Sequence, residues 1–333
     1  MRSLLLLKYP IFLIPIFLFT GPFLPDLTVS LTSTIFLVIC LIHKREYLNN
    51  RYFIFFLIFW IFISINSILS ESYVSMKSSF GYLRFGIFFL ILIFLLKFER
   101  DFYKTLRLFI LISIITVLSD SLIQFFTGYN VLGYEKDSRL SSFFGDEKIL
   151  GSFMIKLTPI FISLYFIDKK KIKIDLTIFF VLLFSLILIL LSAERSALGL
   201  FILYIILLSS ILIKNKKKII LISIFLLTII TIPILTIDKL KNRYFLILKD
   251  QLVQINDQGN IDDIYMFTQA HDYMFKTAIN IFKSKPLTGY GTKTFREKCN
   301  NEKFKHLNHR HACNTHPHNY YFQMLSENGI IGF

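Results

Sequence analysis

Charge is scarce in this chain. Of its 333 residues 18% are Asp, Glu, Lys or Arg, against roughly a quarter in an ordinary soluble domain. Acidic residues are scarcer than basic ones, 22 against 37, and there is a single Trp. Three cysteines are too few for a disulfide-built miniprotein, and 13 Gly with 8 Pro exclude a collagen-like fibre. No repeat of 20 to 50 residues is visible, nor an HExxH frame or a DxD metal site. What is abundant is apolar: 54% of residues are hydrophobic, 38 of them Phe, and the mean hydropathy is +0.61. Such a composition excludes disorder and points to lipid. The formal charge of +15 needs no nucleic acid to explain it, since membrane proteins keep Lys and Arg in cytoplasmic loops.

The apolar residues fall in blocks bounded by charge. Nine blocks approach the ~20 residues that a bilayer-crossing helix requires. They run from Tyr9 to Pro25, Leu27 to Ile42, Tyr52 to Ser70, Ser78 to Leu96, Leu108 to Phe126, Ile149 to Ile167, Leu176 to Ala193, Ser196 to Ile213 and Ile219 to Ile237. The first contains Pro10 and Pro15, lacks a small-residue cleavage site and leads straight into the second, so it reads as a retained span and not a signal peptide.

Connections 43–51, 97–104, 168–175 and 214–218 carry fourteen Lys and Arg, against five in 70–77, 127–148 and 192–195. By the positive-inside rule the first set and the N-terminus face the cytoplasm. The expected fold is therefore an all-α polytopic membrane protein. A bundle of nine helices occupies 1–237, a large periplasmic loop domain 238–318, and the start of a tenth helix 319–333, in a chain read as truncated there. Within the loop, Asp262 to Lys283 is expected as an amphipathic surface helix presenting Ile264, Phe267, His271, Met274, Phe275, Ala278 and Phe282 on one face.

Charges inside apolar blocks are expensive. Arg84, Asp120 and Lys156 are such charges, and Asp120 and Gln124, four residues apart, share a helix face. Arg139 and Arg195 lie on external connections, the latter in the tight turn Ser192-Ala193-Glu194-Arg195-Ser196. Arg84 also reads as a snorkelling side chain, and Arg195 as a local partner of Glu194. The sharper reading joins Arg84, Arg139, Lys156 and Arg195 into one cationic pocket at the outer face, suited to a phosphate-bearing lipid. Six of seven histidines fall in the external segment. His306, His309 and His311 read as solvated loop residues and not as metal ligands, whereas His316-Pro317-His318 directly precedes an apolar helix. Cys299 and Cys313 share the external loop and would bridge in an oxidising compartment.

These residues resemble the O-antigen ligase and polymerase superfamily of bacterial envelope glycosyltransferases. The segment His316-Pro-His-Asn-Tyr-Tyr-Phe-Gln-Met-Leu-Ser-Glu-Asn-Gly-Ile-Ile-Gly332 is similar to the family's HN-x-(Y/F)-L-Q-x-x-x-E-x-G-x-x-G motif, with Asn319, Glu327 and Gly329 at its fixed positions. Lys285-Pro-Leu-Thr-Gly-Tyr-Gly-Thr-Lys-Thr-Phe295 is similar to its P-x-x-G-x-G-x-x-x-F segment, and Asp120, Gln124 and Arg139 with Phe144-Gly-Asp-Glu147 match a stretch seen in some members.

The resemblance implies a metal- and cofactor-independent transfer of a glycan from undecaprenyl diphosphate to an acceptor at the periplasmic face of the bacterial inner membrane. The acceptor is first of all the lipid A core of lipopolysaccharide; polymerisation and protein O-glycosylation share the motifs. A lipid-linked glycan transporter is the reading from another class. By resemblance His318 activates the acceptor, and Arg195 with Arg139 meets the diphosphate. His271 stands where many members carry a second Arg, whose substitute is then Arg296 or Arg243.

Overall fold

The computed structural model describes residues 2–136, 139–167, 169, 174–255, 261–265 and 267–333. Lys170, Lys171 and Lys173, three of the basic residues counted for the 168–175 connection, lie outside them. In chain order the principal helices are α1 (Lys8–Phe17), α2 (Phe23–His43), α3 (Arg51–Leu69), α4 (Tyr73–Gly81), α5 (Leu83–Phe98), α6 (Phe102–Thr127), α7 (Leu150–Phe166), α8 (Leu176–Leu191), α9 (Arg195–Leu212), α10 (Lys216–Thr236), α11 (Gln269–Ser284) and α12 (Tyr320–Gly332). Their starts follow local chemistry. Asn50, Ser72, Asp175 and Asn319 each turn a side-chain oxygen onto the first free backbone N–H groups of α3, α4, α8 and α12.

Six helical segments are long and apolar enough to cross a membrane: α2, α3, α4 with α5 as one run Tyr73–Phe98, α6, α9 and α10. The protein is thus a multi-pass, essentially all-helical membrane protein. Three of the nine expected spans form shorter apolar helices, Ser3–Phe17, α7 and α8. At 1.5 Å per residue, the 16 residues of α8 reach ~24 Å.

Between residues 248 and 270 the expectation fails in part. The surface helix begins at Gln269, not Asp262. Ile261–Ile264 is instead a strand, β2, pairing antiparallel with β1 (Val253–Ile255) through Val253↔Ile264. Val253, Ile255, Ile261 and Ile264 are β-branched residues that favour strands, and pairing with β1 prevails over the helical reading of Ile264. Phe267 still packs near the expected face, its ring 5.1 Å from that of Phe275.

The chain divides into two compact units. Unit 1 comprises 1–28 and 95–247. Its core runs from Ile114 and Val117 of α6 through Met154 and Phe161 of α7 and Ile189 of α8 to Phe201 of α9. Lys8 of α1 pairs with Glu99 at 3.1 Å, and Phe12 stacks on Phe102 and Phe109.

Unit 2 comprises 29–94 and 248–333. Here α11 buries Tyr273, Met274, Phe275, Thr277, Ala278 and Ile281. Phe275 stacks on Phe322 of α12, with centroids 4.6 Å apart. A disulfide joins Cys299 to Cys313, Cα atoms 5.1 Å apart, and Cys299 packs with Ala278, Ile281, Phe295 and Phe304. Closing a loop of this length contributes roughly 3 kcal/mol in the chain-entropy model.

The helix read as the continuous start of a tenth span is broken at Gly329 (φ 63°). There its backbone leaves the helical path and bonds segment 286–291: Ile330 N–H donates to the Pro286 carbonyl at 2.9 Å, Ile331 N–H to Leu287 at 3.2 Å, and Gly291 N–H to the Glu327 carbonyl at 2.7 Å. Asn66 of α3 clamps the same place, its amide donating to the carbonyls of Thr288 and Glu327. No side chain fits between these strands of backbone. A Cβ on Gly289 would lie 2.4 Å from the Glu327 carbonyl carbon, and one on Gly329 would lie 2.3 Å from the Leu287 oxygen.

Gly289→Ala should therefore lower thermal stability sharply, since it adds a backbone clash to a left-handed φ of 67° whose cost alone is ~1 kcal/mol or more. Gly199→Ala, where a Cβ meets nothing within 4 Å, should be neutral or slightly stabilising. Melting of both variants in detergent tests this; equal melting temperatures would refute the close-packing account.

Candidate functional site

In unit 1 the polar stripe of α6 is buried, Asp120 being 2% and Gln124 0% exposed. Both side chains are spent on the connection that follows. Asp120 accepts from Val131 N–H at 2.9 Å and from the Ser142 hydroxyl. The Gln124 oxygen accepts from Ser141 and Ser142 N–H, and its amide donates to the Tyr134 carbonyl. Asn130 closes the turn, accepting from Leu132 and Tyr134 N–H and donating to the Ser142 carbonyl. The stripe thus holds in place the loop that carries Arg139.

Arg139 is itself fixed. Its Nε donates to the Ser192 carbonyl at 3.0 Å and its Nη2 to the Lys148 carbonyl at 2.9 Å, with Glu194 at 3.8 Å. Burial holds this guanidinium below its ordinary pKa; Glu194 opposes the effect and Arg243 adds to it.

Glu194 directs its carboxylate to the start of α7. It accepts from Gly151 N–H at 2.6 Å, Ser152 N–H at 3.1 Å and the Ser152 hydroxyl at 2.6 Å. A carboxylate there meets the positive end of the helix. Gly151 is required for this approach, because a Cβ would sit 2.7 Å from Ser192 Oγ and 3.1 Å from Glu194 Cβ.

Arg195 opens α9 and lies within electrostatic reach of Arg139, Arg243 and Tyr244. Arg243 and Tyr244 belong to one π-helical turn, Asn242–Leu246. Burial pushes the Tyr244 phenol up to about 12 even though three arginines pull the other way. Beside this group lies a cavity of about 630 Å³, lined among the described residues by Lys136, Arg139, Lys148, Lys239 and Arg243, with the carboxylates Glu135 and Asp146 also on its wall. Lys136 is held below its ordinary pKa by burial and by Lys239, so the cavity already carries positive charges that repel. Of the four cations expected in one pocket, Arg139 and Arg195 are together. Lys156 is exposed on α7 and absent from this wall. Arg84 belongs to unit 2, where its guanidinium lies over the Phe85 ring at 4.9 Å and its carbonyl accepts from Ser33.

In unit 2 the residues before α12 form a second cluster. Asn319 is the helix cap, its oxygen accepting from Tyr321 N–H at 2.9 Å and Phe322 N–H at 3.3 Å. His318, one residue earlier, has φ 55°, a conformation that non-glycine residues adopt at a cost. Its Nε2 is 3.0 Å from the Asn314 amide. Its ring lies 4.2 Å from that of His316 and 5.7 Å, edge-on, from that of His271, whose Nδ1 is hydrogen-bonded to the Thr268 hydroxyl. Burial, His318 and Arg296 keep His316 below its ordinary pKa, so it is neutral at pH 7. His316, His318, Asn319, Gln323, Lys293 and Arg296 line a cavity of about 320 Å³. At its base Gln323 donates to both oxygens of Glu327, which is 2% exposed and also accepts from Phe295 N–H. Among the described residues no three His, Cys, Asp or Glu converge as a metal-ligand set.

Residues 180–333 match the family model of O-antigen ligase. Neither a curated protein nor a solved structure matches the chain. The ligase match contains Arg195, Arg243, His271, Arg296, His318, Asn319, Glu327 and Gly329, whereas Arg84, Asp120, Gln124, Arg139 and Lys156 precede it. Among the ligase-motif residues, the structure brings His271, Arg296 and His318 into one cluster and gives Asn319 and Gly329 backbone roles. Tyr244 and the capping role of Glu194 were missed from sequence. Only the small residue at Gly151, just inside a helix start, hinted at the second.

The Asp120 bonds predict that Asp120→Ala leaves Val131 N–H and the Ser142 hydroxyl without their acceptor. The cost should be about 1–3 kcal/mol. Limited proteolysis of the purified protein should then cut within 129–142 faster than in the wild type; an unchanged cutting rate would mean that the stripe does not hold the loop.

Proposed function

We propose that the protein transfers a glycan from undecaprenyl diphosphate to an acceptor sugar at the periplasmic face of the inner membrane, most directly O-antigen to the lipid A core. The family match carries this reading, because it runs through both the Arg195 turn and the His318-Asn319 turn. The topology that goes with it has nine membrane helices before residue 238, a cytoplasmic N-terminus and a periplasmic segment 238–318. Glycosyl transfer of the O-antigen ligase type is what the domain implies in general; donor, acceptor and sidedness are the proposal.

In this reading His318 takes the proton of the acceptor hydroxyl as its oxygen bonds the anomeric carbon. The bond from that carbon to the diphosphate oxygen breaks, and the diphosphate leaves on its lipid. Arg195 and Arg139 receive the developing charge. Guanidinium suits the task because it offers a planar fork of donors and remains charged. His271, Arg296, Lys156 and Arg84 are assigned to substrate binding. Asn319, Glu327 and Gly329 hold the geometry around His318, as Asp120 and Gln124 do around Arg139. The left-handed backbone of His318 agrees with a functional assignment, since strain of this kind persists where surrounding structure imposes it.

Loss of a general base costs typically ~10² to 10⁴ in rate, whereas loss of a structural histidine shows up as stability. Purified His318→Ala should remain folded and retain lipid-linked donor, yet transfer almost nothing; His316→Ala should keep much of its activity. Arg195→Lys should be impaired as well as Arg195→Ala, because a point charge does not reproduce the bidentate fork. Near-normal turnover by His318→Ala at saturating acceptor would overturn the mechanism. In a deletion strain, loss of all attached polymer from the lipid A core supports ligation, while attachment of a single repeat unit identifies a polymerase.

A further inference from the structure

A further cavity, of about 220 Å³, lies between α8, α9 and α10 of unit 1, toward the end of α9 opposite to Arg195. At its mouth stand Ile174 just before α8, Leu208 and Ser209 near the end of α9, and Ile222 in the second turn of α10. Apart from Ser209, every described residue lining it is Ile, Leu or Phe. Phe179 is 43% and Phe225 55% exposed, so the groove opens sideways, where an apolar bundle meets lipid. Sites for compact ligands measure roughly 300–1,000 Å³, and this one suits a single chain laid along the helices. Of the six candidate spans α10 is the least buried, with 17% of its apolar window inside the protein. Its buried residues Leu226, Ile230 and Ile234 form one narrow stripe, and the groove lies open beside it.

Charge gathers at the same end. Lys214, Lys216, Lys217 and Lys218 are exposed, and none pairs with an acidic group among the described residues. Lys218 lies one turn before Ile222 and two before Phe225, on the face of α10 that lines the groove. No acidic residue occupies the first turn of α10, so three lysines stand at the positive end of its dipole. The carboxylate at this end of α8, Asp175, is already engaged. It accepts from Ile178 N–H at 3.1 Å and from the Tyr165 hydroxyl, with Lys169 at 3.7 Å. The positive-inside rule explains why lysines stand on this side, but it supplies no counter-ion. An anionic headgroup does.

We propose that this groove binds one acyl chain of an anionic phospholipid, whose headgroup phosphate is held by Lys218 and by the field of Lys214, Lys216 and Lys217. The chain fills the space beside the single stripe that holds α10 to the bundle. The lipid thereby braces a helix that runs straight into the turn carrying Arg243. The site lies at the other end of α9 from Arg195 and depends on neither the donor nor the acceptor proposed above.

Native mass spectrometry of the full chain in a neutral detergent reads this directly, with dioleoyl phosphatidylglycerol as the probe. Dioleoyl phosphatidylcholine, glycerol phosphate and farnesyl diphosphate serve as comparisons. The wild type should retain phosphatidylglycerol over phosphatidylcholine by roughly tenfold. Lys217→Gln combined with Lys218→Gln should remove most of that preference, since each lysine beside an anionic headgroup contributes a several-fold gain in affinity. Lys44→Gln, an equal loss of charge just past α2, should keep it. Ile222→Trp, which fills the groove, should weaken retention of the phospholipid at an unchanged melting temperature. Glycerol phosphate, which has no acyl chain, should not compete. Equal retention of the two phospholipids by the wild type overturns the site, as does wild-type preference in the double lysine variant. Should Ile222→Trp not fold, the headgroup preference and the lysine variant decide. Displacement of phosphatidylglycerol by farnesyl diphosphate would give the groove to a polyprenyl ligand and refute the proposal. A wild-type dimer that Ile222→Trp turns into a monomer would give it to a second copy, with the same consequence.

Discussion

Backbone lying directly on backbone is the constraint that organises the histidine cluster. Segment 286–291 and the end of α12 approach so closely that Gly289 and Gly329 have no room for a Cβ, and their N–H and carbonyl groups satisfy each other across the contact. Buried main-chain polar groups demand partners, so the pairing fixes register as well as distance. The start of α12 inherits that position through one helix and the Asn319 cap, and His318 is placed by the cap. The same segment leads through Lys293 and Arg296, which is why residues so separated in sequence from His318 line one cavity with it. Glu327, bound to Phe295 N–H and to Gln323, ties the two together from below.

Unit 1 solves a different problem, that of holding charge in an apolar bundle. An ion removed from water costs several kcal/mol unless its partners are close and well placed. Asp120 and Glu194 are treated in the same way: each carboxylate is saturated by backbone N–H and hydroxyl donors before any cation is considered. Arg139 is likewise neutralised mostly by carbonyl dipoles. Rigid loops result, and the cations left over face the cavity.

Much of this was legible in the sequence, but unevenly. Apolar blocks bounded by charge located every long helix, because lipid leaves no alternative to internally bonded backbone. Helix lengths were less legible: α1 and α8 stop early, and hydropathy has no term for where a chain turns. The helical spacing read from Ile264 onward does not hold at that residue, because pairing with β1 keeps Ile261–Ile264 as a strand, and a pattern along one segment carries no sign of its partner. The four-residue spacing of Asp120 and Gln124 announced a shared face but not its use, since their partners lie in a loop with no pattern. The acceptor role of Glu194 was not legible either, because it depends on where α7 begins.

The contrast between Arg139 and Arg243 shows what spacing alone does not convey. Both are arginines on connections between long helices, and the sequence ranks Arg139 higher because its neighbours fit a motif. Yet a guanidinium binds a ligand with the donors it has left, not with its formal charge. Arg139 spends its donors on Ser192 and Lys148, whereas Arg243 keeps Nε turned inward beside an equally unsatisfied Tyr244 hydroxyl. Rigidity and availability are thus divided between two residues. The one that is fixed helps to shape the cavity, and the one that is unsatisfied lines it.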